Sequence, residues 1–304
     1  MSDLSRFESL LVEKMPDLAL KKDEPLSRHT SFSIGGPAAL LAQPKNTGEL
    51  QQLYALCIRE GIEPVFLGSG TNVLAPDEGL NRLVIQTRGV NEIQNLGGGL
   101  FRADCGATLA RLAQTAAKEG YTGLEFAHGI PGAVGGGVLM NAGAYGGELK
   151  DVCVSVRWMK NDGETVDVSG EDAEFAYRES RFSKEGGLIL SADFRLMPGN
   201  TREIMAKMSE LASKRRTSQP LEMPSAGSTF KRPVGGYAAA LIDEAGLKGF
   251  AVGGAQVSEK HAGFVVNTGG ATCADVLELI KQIQKRVFET SGIRIEPEVR
   301  LLGQ

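Results

Sequence analysis

Residues Gly129 to Gly147 read GIPGAVGGGVLMNAGAYGG, and this stretch limits the possible folds more than any other. Glycine has no Cβ, so backbone N–H groups there can approach a bulky group that other residues hold off. Ile130, Val134, Val138, Leu139 and Met140 are interleaved with the glycines, which excludes a solvated linker. Two readings follow. The segment is a tightly turned buried loop, or its successive N–H groups form an anion-binding concavity suited to a pyrophosphate. Glycine is also the compositional outlier, at 39 of 304 residues, against roughly 7% in an average protein. No G-X-Y period or low-complexity tract accounts for it, so these are turn and ligand glycines in a globular chain.

A chain of 304 residues corresponds to two domains of about 150 residues, or three smaller ones. A hydrophobic content of 42% supplies a buried core, and a net charge of −4 offers no basic surface for nucleic acid or anionic lipid. Asp3, Arg6, Glu8, Glu13 and Lys14 rule against a secretory signal. No apolar run approaches the ~20 residues that a membrane span needs. A cytoplasmic protein without membrane insertion is expected. Cys57, Cys105, Cys153 and Cys273 form no CxxC pair, so free thiols are expected. His29, His128 and His261 are dispersed, and no metal site is expected.

Periodicity divides the chain into three units. In the first, Phe7 to Met15 predicts a helix and a polar joint runs to Ser27. A strand at Ala39 to Leu41 is followed by a helix capped at Asn46 or Thr47, with Leu50, Leu53 and Cys57 at helical spacing and Gly61 at its end. Pro64 to Leu67 is a strand that enters the loop Gly68 to Asn72, and Leu83 to Thr87 is another. The second unit holds a helix from Thr108 to Glu119, the long glycine loop, and an alternating strand with Val152, Val154, Val156 and Trp158 on one face. Asn161-Asp162-Gly163 turns it onto a strand with Val166 and Val168, and Leu188 to Leu196 closes the sheet. The third unit opens with a helix carrying Ile204, Met208 and Leu211 and ending in Lys214, Arg215 and Arg216. It continues with a helix from Ala238 to Ala245, a strand at Phe264 to Val266, and a helix with a capping box at Thr272 and Asp275. An extended segment from Arg294 to Leu301 ends it. The expected boundaries are 1–88, 89–199 and 200–304, with the last few residues able to return to the first unit.

Several chemistries are excluded. There is no GxxxxGK[ST], HExxH or GxSxG, and Gly68-Ser69-Gly70 lacks the third glycine of GxGxxG. Two anion-cradling loops in different units suggest one large phosphate-bearing ligand. On spacing alone, a flavin dinucleotide and a nucleotide sugar are both long enough.

Seven segments, in order, resemble one family. They are HTSFSIGGPA (His29 to Ala38), FLGSGTN (Phe66 to Asn72), GLEFAHGIPGAVGGGVLMNAGAYGGE (Gly123 to Glu148), YRESRF (Tyr177 to Phe182), PSAGSTFKRP (Pro224 to Pro233), VSEKHAGFVVN (Val257 to Asn267) and EPEVRLLG (Glu296 to Gly303). Together they resemble the UDP-N-acetylenolpyruvoylglucosamine reductases, also called UDP-N-acetylmuramate dehydrogenases. The resemblance implies an α+β fold: a two-part FAD-binding domain of the vanillyl-alcohol-oxidase type (1–88 and 89–199), then a C-terminal α/β substrate-binding domain (200–304). It implies non-covalent FAD, NADPH as co-substrate and a UDP-sugar substrate, in peptidoglycan precursor synthesis, by a monomer or weak oligomer. One branch has an extra loop with a substrate-contacting tyrosine after the YRxS segment. Here Ser183 to Gly187 runs straight into a strand, so this chain resembles the branch without it.

The implied reaction sends hydride from the flavin N5 to the β-carbon of an enolpyruvyl ether, while negative charge develops at the α-carbon and carboxylate. A proton donor and a cationic or hydrogen-bonding stabiliser are both needed. By resemblance the donor is Ser228, the arginine is Arg178 and the catalytic glutamate is Glu298. The plain alternatives are a turn serine bonded to its own backbone, an ion pair of Arg178 with Glu179 worth ~0–1 kcal/mol, and an ordinary strand-end glutamate, with Glu296 as a second choice. A carboxylate beside an anionic intermediate would repel it, so Glu298 is expected to be protonated in the complex. For FAD the candidates are Gly68, Ser69, Gly70, Thr71 and Asn72 at the pyrophosphate. Gly129, Pro131, Gly132 and Gly136 would form the second wall, and Asn141 and Ala142 would face the ring. His128 is read as packing or hydrogen bonding. Lys231, Arg232, His261 and Asn267 are candidates for the substrate diphosphate and sugar. Arg215 and Arg216 are further candidates, or a solvated helix end complementing the dipole. NADPH is expected to use the substrate pocket in turn, giving ping-pong kinetics.

Overall fold

The computed structural model describes residues 3–303. Helix α1 (Asp3–Lys14) is followed by strands β1 (Ala19–Pro25) and β2 (Pro37–Gln43) and helix α2 (Thr47–Arg59). Then come β3 (Val65–Leu67), β4 (Val73–Leu74), β5 (Leu80–Gln86), β6 (Ile93–Gly97), β7 (Leu100–Asp104), α3 (Leu109–Lys118) and β8 (Tyr121–Thr122). Helix α4 (Val134–Leu139) and strands β9 (Gly143–Ala144) and β10 (Gly147–Glu148) precede β11 (Cys153–Met159), β12 (Thr165–Ser169), α5 (Arg181–Glu185), β13 (Leu188–Arg195) and β14 (Met197–Pro198). The chain continues with α6 (Thr201–Ser218), β15 (Ser225–Ser228), α7 (Ala238–Glu244), β16 (Ala251–Val252), β17 (Ala255–Val257), β18 (Phe264–Asn267), α8 (Cys273–Ser291) and β19 (Arg300–Leu301).

Contacts divide the described chain into two compact units. The first takes the residues up to Lys21, Leu40–Ser69 and Arg82–Lys214; the second takes Lys22–Ala39, Gly70–Asn81 and Arg215 onward. This differs from boundaries at 88/89 and 199/200. Phe32, Ile34 and Leu74 join the core of the second unit, and β4 pairs in parallel with β19, Val73 opposite Arg300. Helix α6 begins just after the expected boundary at 199/200, and the observed division falls within it, between Lys214 and Arg215.

The first unit has two cores. In one, Leu50, Leu53 and Cys57 of α2 pack with Phe7, Leu11, Leu83 and Ile85. Asn46 is the N-cap of α2, its side chain accepting from the Glu49 N–H at 2.9 Å. Strands β3 and β5 pair in parallel, Val65 opposite Val84. The other core fills a five-stranded antiparallel sheet of order β12-β11-β13-β7-β6, against which Leu112, Val134, Val138, Trp158 and Phe194 are buried. The Asn161-Asp162-Gly163 turn pairs Trp158 with Val166 and Val156 with Val168, as the spacing predicts. Val154 departs from that pattern. The register shifts between Cys153 and Ser155, so Cys153 turns inward and Val154 is exposed. The expected polar joint contains β1, an edge strand reading ALKKDEP. Charged edge strands resist pairing with other chains, and their low hydrophobicity makes them look like linkers.

In the second unit an antiparallel sheet of order β15-β18-β17-β16 is covered by α8, whose Val276, Leu279, Ile280, Ile283 and Val287 are buried. The Thr272–Asp275 capping box is present: Thr272 Oγ1 accepts from Asp275 N–H at 3.0 Å, and Asp275 Oδ2 accepts from Thr272 N–H at 3.0 Å.

All four cysteines are buried and free. Burial pushes the Cys57, Cys105 and Cys153 thiols up to about 12 and that of Cys273 to about 11. The thiolate is the reactive form. Native protein at pH 8 should therefore leave Ellman's reagent uncoloured, and all four thiols should react after unfolding. Rapid titration of any one in the native protein would contradict this burial. No helix among the described residues is long and apolar enough to cross a membrane. No group of three or more His, Cys, Asp or Glu among them is placed to hold a metal ion.

Candidate functional site

The glycine stretch is more regular than a loop. Residues Val134–Leu139 form α4 although three of its six residues are glycine. Tertiary packing overrides helix propensity here. A methyl group on Gly135 would lie 3.0 Å from Cys105 Cβ, and one on Gly137 would lie 3.1 Å from Leu109 and Leu149. One face of α4 must therefore be bare for it to seat. Gly136 points the other way, where a methyl group would meet no atom within 4 Å.

Gly68, after β3, lies beside this segment: a methyl group on it would sit 3.6 Å from Ala133 Cβ. The N–H groups of Ser69 and Gly132 donate to no described residue. His128 Nδ1, beside the same segment, is buried without a hydrogen-bond partner. Unspent N–H donors, an open Gly136 face and an orphaned imidazole nitrogen fit a phosphate-bearing cofactor with a polar ring system. The unit boundary falls inside the first loop, between Ser69 and Gly70. Gly70 has φ +67°, and a methyl group there would lie 2.1 Å from the His29 carbonyl oxygen, so only glycine fits.

Asn141 and Ala142 are hydrogen-bonded within the protein. Asn141 is 1% exposed. Its Nδ2 donates to Glu148 Oε2 at 3.1 Å and to the Ala176 carbonyl at 3.0 Å, and its Oδ1 accepts from Lys150 N–H at 3.0 Å. Ala142 N–H donates to the Gly137 carbonyl, and the Ala142 carbonyl accepts from Leu149 N–H. The side-chain amide of Asn141 and both backbone polar groups of Ala142 are thus engaged within the protein. Gly129 is half-buried, Pro131 is exposed, and the Gly132 carbonyl accepts from Leu109 N–H at 3.0 Å.

Arg178 lies in the tight turn Ala176–Glu179, with backbone φ +57°. Its Nη2 makes a long contact, 3.4 Å, to the Gly143 carbonyl. Glu179 pairs with Lys184 at 2.8 Å, and both Arg178 and Glu179 make further interactions within the protein. Glu148 and Lys150, which the residue-by-residue reading did not single out, complete this cluster at 2.7 Å from each other. Hydrogen bonding from Lys150, joined by that from Asn141 and by the Lys150 and Arg178 charges, holds the Glu148 carboxyl below its ordinary range against burial, which ranks second to the Lys150 bond.

In the second unit the register shifts between Ser225 and Ser228, around Gly227 at φ +77°. A bulge of this kind re-aims the next side chain. Ser228 is exposed, paired through its backbone with Phe264. Its hydroxyl bonds to no described residue, so the turn-serine reading finds no support. Residues 229–231 run antiparallel to 296–298: Glu298 N–H donates to the Thr229 carbonyl at 2.7 Å, Phe230 bridges Pro297, and Lys231 N–H donates to the Glu296 carbonyl at 2.9 Å. This register puts Glu298 opposite Thr229, one residue from Ser228. Asn72 Nδ2 donates to the Glu298 carbonyl at 3.3 Å, and Asn72 O accepts from Arg300 N–H. Thr71 and Asn72 therefore lie beside the Glu298 strand.

The remaining candidates divide. Lys231 pairs loosely with Glu296 at 3.4 Å, and the Arg232 guanidinium sits 4.3 Å from the Tyr237 ring centroid. Both are within reach of solvent. His261 Nδ1 accepts from Gly263 N–H at 3.1 Å; burial lowers its pKa, which favours the neutral ring. The Asn267 amide is engaged within the protein. Its Nδ2 donates to the Phe32 carbonyl at 3.1 Å, and its Oδ1 accepts from Gly269 and Ala271 N–H. The Arg216 carbonyl accepts from Lys260 Nζ at 2.8 Å, and Lys214 pairs with Glu210 at 2.6 Å.

Known proteins match along nearly the whole chain. Residues 38–169 match the model of the FAD binding domain, and residues 219–302 match that of the UDP-N-acetylenolpyruvoylglucosamine reductase C-terminal domain. The UDP-N-acetylenolpyruvoylglucosamine reductase of Agathobacter rectalis is 45% identical, over 98% of each chain. The chain belongs to the UDP-N-acetylenolpyruvoylglucosamine reductase family. The reductase of the same name from Clostridioides difficile is 45% identical over 94% of each chain. The crystal structure of the Thermus caldophilus reductase (MurB) superposes with a TM-score of 0.78 at 35% identity, covering 94% of this chain and 98% of that one. An alkyldihydroxyacetonephosphate synthase shares the fold at TM-score 0.50 and 18% identity, over 64% of this chain and 40% of its own. The chain is thus a MurB-family, FAD-dependent oxidoreductase with a vanillyl-alcohol-oxidase-type FAD-binding domain and a MurB C-terminal domain.

Proposed function

We propose that this chain catalyses the NADPH-dependent reduction of UDP-N-acetylglucosamine enolpyruvate to UDP-N-acetylmuramate through FAD, in the cytoplasm, as a step of peptidoglycan precursor synthesis. The relatives' name supports the substrate. The observation that carries the chemistry is Ser228, a bulge-presented, exposed hydroxyl with no hydrogen bond to the described protein. FAD, when bound, supplies a hydride equivalent to the enolpyruvyl β-carbon. Backbone N–H groups of Ser69 and Gly132 would hold its phosphates, and the open side of Gly136 would admit it. Ser228 Oγ–H delivers a proton to the α-carbon. Serine is a weak acid, but an enolate is a strong base and the hydroxyl is held ready. Arg178 opposes the growing negative charge on the enolpyruvyl carboxylate with its planar fork. Glu298 in its neutral form donates a hydrogen bond without repelling that charge. Lys231, Arg232 and His261 bind the diphosphate and sugar.

The test is spectroscopic. Purified protein should be yellow, bleach with NADPH without oxygen, and recover its colour on adding the enolpyruvyl substrate. Protein that purifies colourless and cannot be loaded with FAD, or a bleached form that the substrate fails to reoxidise, would remove the reading.

The role of Glu298 carries its own sign. Substrate charge raises its pKa in the complex, so the neutral acid persists through neutral pH and is lost as pH rises through that raised value. The rate should therefore fall on the alkaline side, and Glu298→Gln, permanently neutral, should flatten that fall. Activity that climbs steadily through alkaline pH would contradict it.

A further inference from the structure

Six non-glycine residues among those described have left-handed backbone, and three of them, Asn141 (φ +41°), Tyr145 (φ +53°) and Arg178 (φ +57°), lie in the segments that meet around β9 and β10. Such conformations persist only where the surroundings enforce them. The Arg178 turn is pinned on both sides: Asn141 Nδ2 donates to the Ala176 carbonyl at 3.0 Å, and Ser180 Oγ donates to the Leu139 carbonyl at 2.8 Å. Arg178 Nη2 reaches the Gly143 carbonyl, and Gly143 is the β-partner of Glu148. Glu148 Oε2 takes hydrogen bonds from Asn141 Nδ2 at 3.1 Å and Lys150 Nζ at 2.7 Å. Its side chain also caps the turn at Leu149–Asp151. Glu148 and Arg178 thus both engage the β9–β10 pair, one as the β-partner of Gly143 and the other through its carbonyl, and the Arg178 charge acts on the Glu148 carboxyl.

We infer that Glu148 is the positioning residue for Arg178. Its carboxylate, held by Asn141 and shared with Lys150, sets the direction of the guanidinium fork. A charged arginine on flexible methylenes loses rotamer freedom when it binds an anion, and a preset partner removes part of that cost. This rests on the reading that Arg178 stabilises developing charge. It goes beyond that reading by assigning the residue that orients the arginine.

The experiment is a double-mutant cycle on FAD-loaded protein, with NADPH reduction and substrate reoxidation followed separately. Glu148→Gln keeps an oxygen for the turn cap and removes the charge. Reoxidation should slow about tenfold, and NADPH reduction should stay within about twofold. In an Arg178→Ala background the same change should alter reoxidation by less than about twofold. The melting temperature of the flavin-free Glu148→Gln protein should stay within about 2 °C. An equal loss in the Arg178→Ala background overturns the inference, as does a variant that melts well below the parent, since Glu148 is then a structural residue. Lys150→Met should keep reoxidation within about twofold; a tenfold loss there would mean that the carboxylate acts through the lysine, and overturns the inference too. Arg178→Ala without any loss of reoxidation removes the parent reading itself, a result distinct from additivity.

Discussion

Replacing Ser228 with alanine should leave NADPH able to bleach the flavin while reoxidation by substrate slows by about 10²–10⁴-fold, the usual worth of general acid catalysis. The two half-reactions separate because only the second needs a proton at carbon. The location of Ser228 makes the test clean. It is exposed at the end of β15, its hydroxyl bonds to no described residue, and removing such a group changes stability by at most about 0.5 kcal/mol. A folding defect therefore does not mimic a chemical one. Equal slowing of both half-reactions would make Ser228 structural and end its role as donor.

Gly70→Ala should cost stability and cofactor together. The added methyl group would sit 2.1 Å from the His29 carbonyl oxygen and 3.0 Å from Thr30 Cα, at a backbone φ of +67°. Overpacking costs about 1–3 kcal/mol and left-handed backbone about 1–2 kcal/mol more for a residue with a Cβ. Against a total of roughly 5–15 kcal/mol this is a large fraction, and the melting temperature should fall by several degrees. The loop that leads to Ser69 would move, so FAD should bind more weakly. Gly136→Ala is the counterpart with the opposite sign. Its methyl group meets nothing within 4 Å, and alanine favours a helix by about 1 kcal/mol over glycine. The flavin-free protein should melt no lower than the parent, yet FAD affinity should drop if the cofactor lies against that face. Unchanged melting for Gly70→Ala would refute the close approach at His29. Unchanged FAD affinity for Gly136→Ala would move the cofactor elsewhere.

Much of the fold was readable because its signals are local. Thr272 caps its helix as expected, Asn46 is the cap of the two residues offered, and the helix expected to start at Thr108 is capped by it, while Asn161-Asp162-Gly163 turns the expected hairpin. These features depend on neighbours a few residues apart. Where the reading missed, distant packing had won. Helix α4 forms through three glycines because Cys105, Leu109 and Leu149 crowd it. Val154 faces out because a bulge shifts the register by one residue, which reverses the face of a strand whose side-chain period is two. β1 hid behind its charges.

The candidate site shows the same divide. Residue order alone marked the glycine stretches, the family, and Ser228, Arg178 and Glu298, since each sits in a short recognisable segment. Only the folded chain decided what those groups are free to do. It committed Asn267 to Phe32, 235 positions away, drew Asn141 into a network with Glu148 and Ala176, left the Ser228 hydroxyl unengaged by any described residue, and twisted Arg178 into a left-handed turn. A hydrogen bond between residues hundreds of positions apart leaves no periodic trace in the chain. Whether a polar group is spent or available is therefore settled when the donors and acceptors meet in three dimensions.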